Sequence, residues 1–154
     1  MKNLNLGQAL GILSNLGVLL GILLLAYELA QNRQMMEAQT RNDLYDGLMN
    51  FLMFAADREF AELMSRSDAG EELDEIDRSV LGTRLTMQLR YFENLHYQYR
   101  AGLFDEDEFS AQLRRWQQLF TSKTRAENWC RVRDVYVADF AAEIDGLLTT
   151  YRCE

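Results

Sequence analysis

Proline is missing from all 154 residues, where an average usage of about 5% would supply roughly seven or eight. Its absence favours long uninterrupted helices over turn-rich β architecture. A single histidine, His96, leaves little room for histidine-based metal or general-base sites. Two cysteines, Cys130 and Cys153, are too few for a disulfide framework. Neither sits in a C-x-x-C pair, so Cys130, beside Trp129, is expected to be an inert, half-buried thiol. Phosphate-cradling and nucleophile motifs are missing too: no G-x-x-x-x-G-K-[ST], G-x-G-x-x-G or G-x-S-x-G occurs. The sequence thus offers no catalytic residue, no cofactor motif and no metal centre, and no enzymatic activity is expected.

Charge is also missing, over one long stretch. Between Lys2 and Glu28 no side chain is charged, and most of residues 3–27 are Leu, Gly, Ile, Val or Ala. Roughly 20 apolar residues, at about 1.5 Å rise each, cross a bilayer core of about 30 Å. A cleaved signal peptide would want a more basic start and small residues before the cut. Cleavage after Ala30 would put Glu28 at the third position before the cut, and cleavage after Ala26 would put Leu24 there. A buried helix of a soluble core is usually shorter. Residues 1–30 are therefore read as a transmembrane anchor helix, with the lipid bilayer as partner, and residues 31–154 as a water-soluble helical domain.

The anchor carries an expected interface. Gly7, Gly11, Ser14, Val18, Gly21 and Leu25 recur at spacing 4-3-4-3-4, and Gly17 with Gly21 forms a second G-x-x-x-G pair beside Gly7 with Gly11. In lipid the hydrophobic drive between helices is weak, so small residues that let backbones approach closely promote association. A homo-oligomer or a place in a larger membrane complex follows. Glu28 extends the stripe to the membrane boundary, where interfacial solvation accounts for it. For orientation, Lys2 and the α-amine lie on one side, Arg33 and Arg41 on the other. Two unpatterned cysteines suit a reducing compartment. Together these place the C-terminal domain in the cytoplasm.

Setting aside Lys2 and Glu28 leaves 15 basic and 23 acidic residues, still a net −8. Such a surface is repelled by phosphate backbones, so nucleic acid is excluded as a partner. The expected fold class is all-α: the transmembrane helix, then a small antiparallel helical bundle. The anchor helix runs on to Ala55, with Leu44, Leu48, Phe51, Leu52 and Ala55 on its apolar face. Asp57 caps a helix over 58–64 facing inward through Phe60, Leu63 and Met64, and residues 67–74 form a loop. A long helix over 75–100 follows, its stripe Leu81, Leu85, Leu89, Phe92, Leu95 and Tyr99, stopped by Gly102. Asp105 caps a helix over 106–120, with Glu108 completing a capping-box pattern. Two more helices span 125–131 and 137–148. Tyr91, Phe92, Tyr97, Tyr99 and Trp116 are expected as core aromatics.

Glu93-x-x-His96 is the sharpest candidate for chemistry, because it puts a carboxylate and an imidazole on one helix face, as in di-iron carboxylate bundles. Those sites need a second such motif and further glutamates, and only an oligomer of this chain would supply them. The run from Asp105 to Glu108 lacks EF-hand spacing and reads as helix capping.

The segment from Leu89 to Phe109 resembles a widespread group of uncharacterised bacterial proteins with a short hydrophobic N-terminal anchor. The matching pieces are Gln31-Asn32, Phe92-Glu93-Asn94, Tyr97-Gln98-Tyr99 and Gly102-Leu103, and Trp129, Tyr136 and Phe140 resemble that group's C-terminal end. The resemblance implies a common fold and a single-pass place in the bacterial inner membrane, and carries no established activity. Any polar site shared with that group would involve Glu93, Asn94, Gln98 and Arg100; with His96 these make the candidate set. The functional expectation is a non-enzymatic, membrane-anchored interaction or accessory protein. The alternatives are a ligand- or metal-sensing domain around Glu93 and His96, and an oligomeric channel, against which Ser14 is the lone polar residue of the stripe.

Overall fold

With no proline to interrupt it, helix α1 runs from Leu6 to Ala55, 50 residues in all. The computed structural model describes residues 6–153; these are 84% helical with no strand, an all-α protein. Lys2, used above for orientation, lies outside them. The chain divides into two compact units, one reaching Gln39 and one starting at Thr40.

In the first unit α1 is long and apolar enough to cross a membrane. Its most apolar 18-residue window has a mean hydropathy of 2.3, and none of that window is buried.

The second unit holds the end of α1 and five further α-helices: α2 (Arg58–Asp68), α3 (Glu75–Arg100), α4 (Glu106–Leu119), α5 (Lys123–Val132) and α6 (Ala138–Leu147). A 3-10 turn at Arg133–Val135 joins the last two. Aspartates open three of them, because a short side-chain oxygen satisfies first-turn amides that have no helical partner. Asp57 accepts from the Phe60 amide at 3.0 Å, Asp74 from Asp77 at 2.8 Å and Asp105 from Asp107 at 2.9 Å. The Phe60 amide and then the Arg84 guanidinium hold the Asp57 carboxyl below its ordinary value. Glu108 is drawn toward Arg41 of α1, 2.6 Å away.

Both α2 and α3 end the same way. Gly70 and Gly102 adopt φ of +79° and +69°, and the next amides, of Glu71 and Leu103, reach back to the carbonyls of Arg66 and Gln98 at 3.0 Å. This cap needs the left-handed backbone that glycine adopts without penalty.

Helix α3 is the spine. Its first half packs Leu81 and Leu85 against Phe60, Leu63 and Met64 of α2, with Leu73 of the intervening loop closing the cluster. Its second half packs Leu89, Phe92 and Leu95 into a larger core with Phe109, Trp116, Trp129, Phe140 and Ile144. Rings dominate there: Trp116 stacks on Phe92 at 4.2 Å and meets Phe109 edge-on at 5.9 Å. Tyr97 is an exception to the expected aromatic core, being 66% exposed. It lies two residues from both Leu95 and Tyr99, about 200° around the helix, and so points away from their stripe.

Candidate functional site

The five polar residues singled out on α3 diverge once the helix is packed. Glu93 turns to Arg90, its Oε2 accepting from the guanidinium at 2.6 Å, and Arg90 lies over the ring of Tyr136 at 4.3 Å. Asn94 and Gln98 lie on an exposed edge, with 3.5 Å between their amides. Arg100 pairs with Asp139 just N-terminal in α6. His96 alone goes inward, 6% exposed, its ring 6.0 Å from Phe109 and 5.6 Å from Phe140. Glu93 and His96 therefore serve different neighbours and do not converge. Among the described residues no group of three or more His, Cys, Asp or Glu side chains is placed to hold a metal.

Burial lowers the His96 pKa below 6.5, Arg100 adds to that, and Glu143, Asp139 and Glu93 oppose it. Folding thus prefers the neutral imidazole. The unfolded chain binds the proton first as pH falls, so stability is intact above 6.5 and declines as pH drops through that value. Thermal midpoints at about pH 7.5 and about pH 5.5 should fall for the native chain and fall less for His96→Leu. Equal declines in both would show that His96 does not titrate against the fold.

A small apolar cavity lies elsewhere in the second unit, between α1, α2 and α3, lined by Gly47, Phe51, Phe54, Phe60, Arg84 and Tyr91 among others. A β-carbon at Gly47 would meet the Tyr91 ring at 3.3 Å, so glycine is what lets α1 approach α3 there. The phenol of Tyr91 is pushed up to about 12 by burial. The volume is about 100 Å³, well short of the roughly 300–1,000 Å³ that accepts a drug-sized ligand.

A polar junction that sequence reasoning missed joins α2 to α5. Asp68, the last residue of α2, accepts from the Ser122 hydroxyl at 2.9 Å and the Thr124 amide at 3.0 Å, while the Thr124 hydroxyl donates to Ser67 at 2.9 Å. Burial alone would raise the Asp68 carboxyl, but these hydrogen bonds outweigh it and leave it lowered. The local signal was only Ser122, a capping residue type.

The cysteines correct a second expectation. Cys130 is not an inert thiol: it is bonded to Cys153, 23 residues on. Tertiary structure brings them together, since α6 turns back so that the strap after it, residues 148–153, returns to α5. Beside the bond, the Trp129 indole donates to Asp145 at 2.8 Å, and Arg133 pairs with the same carboxylate at 2.7 Å.

Of the anchor residues, Gly11, Gly17 and Gly21 have open space where a β-carbon would go, and Val18 and Leu25 are 62% and 61% exposed. Gly7 and Ser14 are exposed as well. Compared with protein-family models, curated proteins and solved structures, the chain matches none of them.

Proposed function

We propose that this chain is a single-pass, membrane-anchored accessory protein without catalytic activity, which associates with copies of itself or with a larger membrane complex through the glycine face of α1. One observation carries the reading: an 18-residue apolar window with none of its residues buried, on a helix whose Gly11, Gly17 and Gly21 would meet nothing within 4 Å of an added β-carbon. A water-soluble protein rarely leaves so large a patch uncovered, and lipid with a neighbouring helix would cover it. The resemblance to small bacterial membrane proteins favours the inner membrane as its site.

The orientation we propose is the reverse of the one drawn from flanking charges. Disulfides persist in oxidising compartments and are rare in the cytosol, so the Cys130–Cys153 bond favours a helical domain on the outer face. The rule of basic flanks sets Lys2 and the α-amine against Arg33 and Arg41 and is nearly balanced here, so the covalent bond outweighs it.

Fractionation tests the anchor: the full chain should stay in carbonate-washed membranes, and its appearance in the soluble fraction would overturn the reading. Alkylating intact cells before lysis tests the orientation, with Cys130 and Cys153 expected to be protected as a disulfide. Free thiols there would restore the cytoplasmic assignment. When Gly17 and Gly21 are replaced together with leucine, the added β-carbons have nothing within 4 Å, so a change in oligomer reports on contacts between chains. Dissociation in detergent should become easier by roughly tenfold, about 1.4 kcal/mol. Unaltered association, measured by analytical ultracentrifugation, would remove this face from the interface.

A further inference from the structure

We propose that the Cys130–Cys153 bond is a reducible latch, opened at Cys153 by anionic thiols, that releases the C-terminal strap. Three observations carry this. Cys153 lines an open depression of about 350 Å³, whereas Cys130 does not. The same depression contains Arg133, paired with Asp145, and the exposed Arg152, which leaves one cation over on a chain of net charge −8. The strap beyond Leu148 forms neither helix nor strand, and Cys153 at its far end ties it back to α5.

Thiol–disulfide exchange proceeds by a thiolate attacking one sulfur and expelling the other. Here the thiolate enters beside Arg152 and bonds to the sulfur of Cys153, while the electron pair of the broken bond leaves on Cys130. A second equivalent of thiol resolves the mixed disulfide. The products are two cysteine thiols and one oxidised thiol pair, with the thiolates taking their protons from water. Released, the strap draws Cys153 off the core against which it packs. It also carries away Tyr151, which walls the depression above Asp68 and Arg125. The latch does not depend on the membrane assignment, because its test needs only the folded chain.

The probes are glutathione, an anionic thiol, and cysteamine, a cationic one, applied to the full chain in mild detergent. Relative to the same chain in urea, glutathione should be favoured several-fold. Trapped adducts should map to Cys153, and Arg152→Gln, an exposed change, should abolish the preference. Hydrogen exchange should rise in residues 148–153 while α3 and α4 stay protected. The proposal is overturned if reduction occurs only as helicity is lost, if adducts map to Cys130, or if glutathione shows no advantage in the folded chain.

Discussion

Replacing Trp129 with alanine should lower the stability of the second unit by about 3–5 kcal/mol, the largest loss expected from one substitution. The indole is fully buried, meets Phe140 edge-on at 5.9 Å and Tyr136 at 5.5 Å, and its nitrogen donates to Asp145. Truncation would leave a cavity where α5, α6 and the 3-10 turn meet, and would strip Asp145 of one of its two partners. Domains of this size are stable by only about 5–15 kcal/mol, so most of the margin would go. In urea, with a slope of roughly 2 kcal/mol per molar, the midpoint should drop by about 2 M. Trp129→Phe keeps most of the bulk and should lose less. An unchanged midpoint for the alanine variant would mean that this corner is not part of the core.

The second large effect is expected from Cys153→Ser. Closing a loop over a separation of 23 residues restricts the unfolded chain by an amount worth about 3 kcal/mol. The variant should keep its helicity without denaturant and unfold at a lower urea concentration, as should the native chain held under reductant. If serine and cysteine versions unfold together under oxidising conditions, the bond is not formed in solution. Trp129 and the bond sit side by side, so the two losses should not add in a double variant.

What was legible in the sequence is what local chemistry decides. Asp57 and Asp105 announce helix starts because a capping carboxylate acts on amides two or three residues away, and the 75–100 helix followed from its leucine stripe. Helix α2 runs four residues beyond the expected Met64, because its end is set by the glycine cap at Gly70. Helix α5 starts at Lys123, two residues before its expected start, because Asp68 contributes to its cap from 54 residues away. No window of sequence contains that partner. The same limit governs the candidate polar set. Spacing puts Glu93 and His96 near one another on a helix, but Arg90, Phe109, Phe140 and Asp139 decide where each side chain goes. The disulfide was out of reach for the same reason: two unpatterned cysteines reveal nothing of the fold that joins them.

Asp68 has a consequence for how the domain comes apart. Because the carboxylate on the last residue of α2 caps the beginning of α5, the end of α2 cannot fray without freeing the first amides of α5. The two segments should breathe as one foldon although 54 residues separate the partners. A nick in the chain between Gly70 and Thr121 would still leave them clasped.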